Sequence, residues 1–353
     1  MTLPNSLEVS RYDQNRFLAY PHNNGFADGG ESLLLGEYDG EGYFLVKVDL
    51  ASGADIARSQ FPIKRLSHSA PTFDIALDSN RLFYVANNAV WTVDLETSNP
   101  EHDKVYQSDL PLGDIMSISR DASRALVFAK QGDGYGAFEI DIATGRAAQL
   151  FHHPWWVGHL HYCPHDETLI GFCHEGQAAE TRDRVWLYRT SGGTSECLFD
   201  QGWDDLSTRL HVGHERWAFH DGSVVMVAYG HSDGTPRGVH EAFADGRPSR
   251  LVSESDRDFH VDISRDGRWV VVDTTGPHDL PGRGWENAGA VSDVVLIDYT
   301  TGAREWLARS TESHLTSHTH PVFSPDGKWI FYHQTNDTTT NWRVMKVKNP
   351  WVE

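Results

Sequence analysis

Five histidines recur at matching places along this 353-residue chain, and imidazole is the side chain that most readily binds divalent metals and moves protons near neutral pH. Each stands six or seven residues before an acidic turn residue: His22, His159, His214, His260 and His320. A single histidine in such a place is ordinarily a hydrogen-bonded surface residue. Because a repeat brings equivalent residues side by side, five of them together predict a metal or catalytic centre.

The segment Ser317–Pro321 holds the densest pair, in the order Ser-His-Thr-His-Pro. In a strand, His318 and His320 would point to the same face, so both imidazoles could reach one ion, with His260 from the preceding repeat as a third ligand. Three neutral imidazoles with open positions for substrate suit Mn²⁺, Fe²⁺ or Zn²⁺. An HxH pair is a weak motif alone, and its matching partner His260 strengthens it.

The elements that must position these histidines are strands joined by acidic turns. The turn residues recur at intervals of 43 to 60 residues: Asp28, Asp78, Asp121, Asp166, Asp221, Asp266 and Asp326. A short apolar run follows each, such as Val224–Val227 or Trp269–Val272, and then an alternating strand and a second turn. Seven such units with no sustained helical period predict an all-β, seven-bladed β-propeller. Thr72 and Asp114 stand at the histidine position of the second and third units.

The two ends of the chain are expected to meet in the last blade. The seventh unit has room for only three strands before Glu353, while Leu7 and Val9 alternate with polar residues near the start. An N-terminal strand that completes the final blade would remove its open edge. Since no Pro/Ser-rich linker interrupts the turns, we predict a single domain over residues 1–353.

Composition excludes several kinds of partner. A net charge of −20 argues against nucleic acid and anionic membrane as ligands. The chain has no apolar run near eighteen residues and no basic-then-apolar leader, and its three cysteines lack disulfide or CxxC spacing. We therefore expect a cytoplasmic protein with buried thiols; the sequence leaves its oligomeric state open. An acidic protein that handles an acidic substrate needs a local cationic centre, which a histidine-bound metal supplies.

Several segments together resemble the oligogalacturonate lyases, from about residue 150 to 333. They are Val157–His159, Gly171–Gly176, Arg184–Leu187, His214–Trp217, His260 before Asp266-Gly267, and Ser317–Pro321 before Ser324–Gly327. The Cys-His-Glu-Gly run from Cys173 to Gly176 is the most specific match. The resemblance implies a cytoplasmic seven-bladed propeller that cleaves short pectin fragments by β-elimination with Mn²⁺.

The resemblance also implies roles for single residues. His260, His318 and His320 match the metal ligands, Arg184 matches the arginine that takes the C5 proton, and His214 matches a histidine beside the substrate. Since arginine is an unusual base, Arg184 can instead be a carboxylate clamp, with His214 or His174 as the base. Predicted substrate contacts, from resemblance or from nearness in sequence to these histidines, are His22, His159, Arg182, Arg216 and Trp217.

Two departures from the family bear on this interpretation. The family has a glutamine three residues before the first histidine of HxH, where this chain has Leu315, which cannot bind metal. A water, His314 or Ser317 could complete the metal shell, or the metal site differs. The loop from Gly276 to Trp285 is also unlike the family's, so His278 and Arg283 are candidate substrate contacts and the sugar stays open.

The chemistry fits these residue types. Removing a proton α to a uronate carboxylate builds negative charge that a divalent ion stabilises. The sequence therefore predicts a metal-dependent lyase that acts on small uronate oligosaccharides and leaves a 4,5-unsaturated uronate. The alternatives are a propeller that only binds sugar or protein, and a metal-dependent epimerase or hydrolase.

Overall fold

Short antiparallel strands make up nearly all regular structure in this computed structural model, which describes residues 6–61, 72–97, 100–113, 116–311, 318–336 and 339–352. Within those ranges the helical elements are two 3₁₀ helices, Tyr12–Gln14 and Asp28–Gly30. None of the described helices is long and apolar enough to cross a membrane. The all-β prediction is confirmed.

The strands form seven antiparallel sheets, each built from one consecutive stretch of chain except the last. In chain order they are β1 (Leu7–Glu8); β2 (Arg16–Phe17), β3 (Phe26–Ala27), β4 (Ser32–Tyr38), β5 (Tyr43–Asp49) and β6 (Asp55–Gln60); β7 (Phe73–Ile75), β8 (Arg81–Ala86), β9 (Ala89–Asp94) and β10 (His102–Gln107); β11 (Ser117–Ile118), β12 (Arg124–Gln131), β13 (Gly134–Asp141) and β14 (Arg146–His153); β15 (Val157–Tyr162), β16 (Leu169–His174), β17 (Val185–Arg189) and β18 (Thr194–Cys197); β19 (Val212–Trp217), β20 (Ser223–Ala228), β21 (Gly238–Phe243) and β22 (Arg250–Glu254); β23 (Asp258–Ile263), β24 (Trp269–Thr274), β25 (Val291–Asp298) and β26 (Arg304–Thr311); and β27 (Val322–Phe323), β28 (Trp329–Asn336) and β29 (Thr339–Lys348). These sheets are the blades of a seven-bladed β-propeller, as predicted.

Side chains close the acidic turns. In the turn between β27 and β28, the Ser324 hydroxyl donates to Asp326 Oδ1 at 2.6 Å and accepts the Trp329 backbone N–H at 2.9 Å, while Asp326 also accepts the Lys328 N–H at 3.1 Å. The turns at Asp121 and Asp266 repeat this pattern. Serine and aspartate therefore satisfy the turn's backbone donors, which explains why these residue types recur.

The apolar run after each turn is the second strand of a blade, and it is buried on both faces. In β24, Val270 and Val272 pack in one cluster with Val225 and Val227 of β20. The alternate residue Val271 packs in another cluster, with Ile330 of β28. Because successive side chains of a strand point to opposite faces, a strand in a blade between two neighbours buries apolar residues on both faces.

The N-terminal strand completes the seventh blade. Strand β1 pairs antiparallel with β29, so that Leu7 lies opposite Lys346 and Glu8 opposite Met345. The backbone N–H groups of Val9 and Ser10 also donate to the Val344 carbonyl oxygen. The predicted closure of the last blade is confirmed.

Contacts divide the chain into two compact units. The C-terminal unit contains residues up to Asn15, Gly176–Val185 and the chain from Cys197 onward; the N-terminal unit contains Arg16–Glu175 and Trp186–Glu196. The N-terminal unit carries the sheets from β2 to β14 and most of the β15–β18 sheet. The C-terminal unit carries β19–β29 and β1. A single domain over residues 1–353 stays a prediction.

Candidate metal centre

The C-terminal unit brings the three predicted metal ligands together around a buried aspartate. His260 lies on β23, Asp273 lies on β24, and His318 and His320 precede β27. One Asp273 oxygen accepts the His260 backbone N–H at 2.7 Å, and the other accepts the His320 backbone N–H at 3.0 Å and lies 2.9 Å from His260 Nδ1. We call His260, His318, His320 and Asp273 the Asp273 cluster.

This carboxylate fixes the tautomer of His260. Since a carboxylate oxygen only accepts, His260 Nδ1 carries the proton and Nε2 keeps its lone pair. That Nε2 lies 3.0 Å from His320 Nε2. The His318 ring centroid lies 5.2 Å from that of His260 and 5.7 Å from that of His320. Three imidazoles that converge with an oriented lone pair are a donor set that fits a divalent ion.

The local backbone around His318 and His320 differs from the prediction. Residues 318–320 are outside any strand, so strand alternation is the wrong reason for their convergence. His320 instead adopts a left-handed backbone with φ of 45°, and its N–H is held by Asp273. The Thr319 carbonyl oxygen accepts the His333 N–H at 2.7 Å. Backbone strain at a residue of this kind is concentrated at functional sites.

Two buried histidines at this site, His320 and His333, favour their neutral form. Burial lowers the pKa of His320 well below its usual value, and the neighbouring rings of His260 and His318 lower it further. His333, whose ring centroid is 5.8 Å from that of His320, has its pKa lowered to about 4 by burial. Neutral imidazole is the form that binds metal, so His320 need lose no proton to bind an ion at neutral pH.

His214 lies beside the Asp273 cluster. Its Nδ1 is 2.5 Å from the Phe259 carbonyl oxygen, and its ring centroid is 3.8 Å from that of His260. A carbonyl oxygen only accepts, so Nδ1 carries the proton and Nε2 has a lone pair for a proton or an ion. His214 occupies a bulge of β19, between Gly213 and Arg216, with φ of 56°.

Arg184 is fixed by a buried ion pair within the C-terminal unit. Its Nε donates to Glu215 Oε1 at 2.8 Å, and its backbone N–H donates to Gln201 Oε1 at 2.7 Å. A Cβ at position 213 would lie 2.0 Å from the Tyr229 hydroxyl and 3.3 Å from Arg184 Nε, so glycine there lets both side chains approach β19. The Glu215 carboxylate stabilises the charged guanidinium, which favours a clamp over a base.

Three other predicted substrate contacts have ordinary structural partners. Arg182 is exposed and pairs with Asp204 at 3.3 Å. Arg216 Nε donates to the buried Asp262 at 2.8 Å. The Trp217 side chain is 1% exposed, so its ring has almost no surface to offer a sugar. These environments favour a surface ion pair for Arg182, a buried ion pair for Arg216 and core packing for Trp217 over the predicted substrate contacts.

The N-terminal unit gathers a second set of candidate ligands. His159 lies on β15, Cys173 lies on β16, and Glu175 follows β16. Glu175 Oε1 lies 3.2 Å from His159 Nε2 and accepts the Cys173 thiol at 3.1 Å. We call these three residues the Glu175 cluster. The His22 ring centroid is 5.1 Å from that of His159, so the structure brings these two predicted residues together.

His174 packs in an aromatic group. Its ring centroid lies 4.4 Å from that of Trp155, which also contacts the rings of His153 and Trp186. All four residues belong to the N-terminal unit. This packing is a structural role for His174 and adds nothing to its predicted role as the base.

A buried arginine organises the loop between β24 and β25. The Arg257 guanidinium donates to five carbonyl oxygens, at 3.0–3.3 Å: those of Thr275, Leu280, Pro281, Gly284 and Glu286. The loop places the Trp285 ring 5.3 Å from the Phe259 ring and 6.0 Å from the His318 ring, centroid to centroid. Trp285 is 36% exposed. His278 of the same loop pairs instead with Asp293, at 2.5 Å.

Sequence reasoning missed Asp273 and the roles of Arg257 and Trp285. A signal for Asp273 exists, because it ends the apolar run Trp269–Val272 of a strand that is otherwise buried, and a buried charge needs partners. The signal for Trp285 is weaker, since an aromatic residue in a Pro/Gly-rich loop has no periodic context.

The blades and the Asp273 cluster define a class: β-propeller proteins with a histidine site of the kind that holds a divalent ion. A profile of the family described as oligogalacturonate lyase matches residues 128–350, more than half of the chain. The chain belongs to this family.

Curated relatives and solved structures agree with that assignment. The oligogalacturonide lyase of Pectobacterium atrosepticum is 23% identical over 203 residues, and the oligogalacturonate lyase of Dickeya dadantii is 24% identical over 201 residues. Each match covers 55% of this chain and 50% of the relative, so the alignment spans about half of their length.

Two solved structures share the whole fold. One is described as oligogalacturonate lyase in complex with manganese, with a TM-score of 0.80, 20% identity and 99% coverage of both chains. The other, an oligogalacturonate lyase from Vibrio parahaemolyticus, has a TM-score of 0.79 at 20% identity and covers 99% of this chain and 98% of its own. At such identity these matches establish the fold alone.

Proposed function

We propose that this protein is a metal-dependent lyase that cleaves short oligogalacturonates by β-elimination and leaves a 4,5-unsaturated uronate. The observation that carries the proposal is the approach of His260 Nε2 to within 3.0 Å of His320 Nε2, with His260 Nδ1 tied to Asp273. Family membership and the names of the relatives favour oligogalacturonate as the substrate class.

The Asp273 cluster would hold the metal through His260, His318 and His320. A bound divalent ion supplies Lewis-acid stabilisation of the charge that develops on the uronate carboxylate. Mn²⁺ is our first choice, because one structural relative is a manganese complex, and imidazole ligands also suit Fe²⁺ and Zn²⁺. Asp273 acts as a positioning residue, since it fixes the His260 ring and the backbone of His320.

His214 is the residue we assign as the base. Its Nδ1–H donates to the Phe259 carbonyl oxygen, which leaves the Nε2 lone pair to take the C5 proton. Arg184, held charged by Glu215, would bind a uronate carboxylate through its planar guanidinium. In this assignment Arg184 only orients the substrate, and the His214 imidazole takes the proton.

Trp285 would supply a face for the sugar. Its partly exposed ring lies next to Phe259 and His318, and Arg257 restrains the loop that carries it. Aromatic rings bind the apolar face of a sugar at low entropic cost when they are already held in place. Substrate contacts by His22, by His159 and by the loop's Arg283 stay predictions.

The test is a panel of uronate oligosaccharides incubated with metal-free protein, followed by ultraviolet absorbance after Mn²⁺ addition. β-Elimination creates a conjugated double bond, so absorbance should rise with oligogalacturonate and only when metal is present. Glucuronate-type oligosaccharides serve as the matched control for the sugar. Cleavage with no new absorbance would mean a hydrolase, and metal-independent binding without cleavage would mean a binding propeller; either result refutes the lyase.

A further inference from the structure

The Glu175 cluster has a mixed nitrogen, sulfur and oxygen donor set. Glu175 Oε1 contacts both His159 Nε2 at 3.2 Å and Cys173 Sγ at 3.1 Å, and His159 and Cys173 present ligand atoms within 4.8 Å of each other. The three side chains are largely buried: Cys173 is 0% and His159 is 8% exposed, and the Glu175 side chain is 16% exposed. All three belong to the N-terminal unit.

The backbone of β15 is shaped to bring these donors together. His159 sits in a bulge between Gly158 and His161, with a left-handed φ of 47°. A Cβ at position 158 would lie 2.3 Å from Glu175 Cγ, so the glycine makes room for the carboxylate over the strand. A strained residue on a bulge beside a required glycine marks a site built to aim a side chain.

His22 adds a fourth donor, the second imidazole, at the edge of this set. Its ring stacks on that of His161, with centroids 4.9 Å apart and planes 12° apart, and lies 5.1 Å from the His159 ring. That spacing is close to the 5.2 Å between His260 and His318 in the Asp273 cluster. His161 Nδ1 faces the His159 carbonyl oxygen at 2.5 Å, which orients the ring against which His22 stacks.

We propose that His159, Cys173 and Glu175 form a second metal site, which takes a thiophilic divalent cation of the Zn²⁺ class with His22 as the fourth donor. One thiolate, one carboxylate and two imidazoles make a four-coordinate set that Zn²⁺ accepts and Mn²⁺ binds poorly. Binding releases the Cys173 thiol proton to solvent, and the two anionic ligands then balance the charge of the cation.

The test is a Co²⁺ titration of the full-length protein in which His318 and His320 are both replaced by Ala. Co²⁺ replaces Zn²⁺ in such sites, and a thiolate ligand adds an ultraviolet sulfur-to-cobalt charge-transfer band. We expect a saturable band that zinc abolishes on addition. Cys173→Ser and His159→Ala should remove it, while Cys163→Ser, which changes another buried thiol of the same unit, should keep it.

Co²⁺ binding without the thiolate band, or a band that survives Cys173→Ser, would overturn the second site. If the double His variant fails to fold, the band is read in the wild-type protein and its Cys173→Ser counterpart, with metal content measured for each. Since the readout needs no substrate, it is separate from the lyase proposal, which a negative result here would leave standing.

Discussion

The Asp273 cluster and the Glu175 cluster use a carboxylate in opposite ways, although both contain a histidine from the same position of the repeat. Asp273 accepts two backbone N–H groups and the Nδ1–H of His260, so its oxygens face the protein and leave the imidazole Nε2 atoms to converge. Glu175 instead places one oxygen directly against His159 Nε2 and the Cys173 thiol. A carboxylate that contacts the Nδ1 side of a histidine leaves a site made of imidazoles alone. A carboxylate that contacts the Nε2 side becomes a donor itself, which gives a mixed site.

A left-handed backbone conformation at a histidine is common to both regions. His159, His214 and His320 all have left-handed φ, of 47°, 56° and 45°. The first two lie on bulges of their strands, and the pairing of β23 also shifts register around His260. A bulge rotates the side chain out of the regular alternation of the strand. The repeat therefore supplies one imidazole in each of five units, and the neighbouring carboxylate decides the chemistry.

Removing an imidazole from the Asp273 cluster should have the largest effect. In His260→Ala we expect metal binding to be lost and the lyase rate to fall by roughly a hundredfold or more, because charge stabilisation at the carboxylate disappears. Bound metal and initial rates of ultraviolet absorbance change would be measured. The exposed turn residue His165→Ala is the control, and equal losses in both variants would refute the assignment.

Removing the charge of Asp273 should have the next largest effect. Asp273→Asn keeps the shape but removes the charge that orients His260, so metal affinity should fall by roughly tenfold to a hundredfold while saturating Mn²⁺ restores most activity. Metal titration monitored by activity would measure this. Asp133→Asn, on an exposed hairpin, controls for the change in net charge. A loss that excess metal cannot restore would mean that Asp273 does more than position its neighbours.

The fold was predictable from the sequence to a large extent, and the reason is the periodicity of its turns. The recurring Ser-x-Asp and Asp-Gly turns close hairpins through their own side chains, so local sequence specifies local structure. The closure by Leu7 and Glu8 was predictable because the last unit lacked a strand. The single domain over residues 1–353 stays a prediction. Contacts divide the chain into two compact units.

The candidate site was predictable only in part. His260, His318 and His320 converge as expected, yet through a left-handed His320 and a buried Asp273 rather than a strand, and such backbone conformations leave no pattern in residue types. Trp217 lies near His214 in sequence but is buried, because a strand between two blades buries both faces. The predictions on Leu315, His314, Ser317 and Asp114 concern residues outside the described ranges.

Replacing Arg184 by lysine tests whether its buried guanidinium binds a substrate carboxylate. Arg182, which forms a surface ion pair, provides the comparison. Lysine keeps the charge but cannot donate to Glu215 and a substrate carboxylate with one planar group. Losing a charge-assisted hydrogen bond costs about 1.5–3 kcal/mol, so kcat/KM should fall roughly tenfold to a hundredfold. Arg182→Lys, whose parent side chain pairs with exposed Asp204, should change kcat/KM little. Similar losses in the two variants would mean that Arg182 also contacts substrate.

Trp285→Ala should have the smallest effect of the series, and on a different kinetic parameter. If the ring only supports the sugar, it contributes equally before and during the reaction, so KM should rise by up to roughly tenfold, about 1.4 kcal/mol, while kcat stays near its original value. The matched control is Trp156→Ala, because Trp156 is also partly exposed, at 47%, and stacks on another ring, that of Tyr135. A fall in kcat for Trp285→Ala would instead mean that the ring positions His318, which it approaches to 6.0 Å, and would move Trp285 from sugar binding to the support of the metal site.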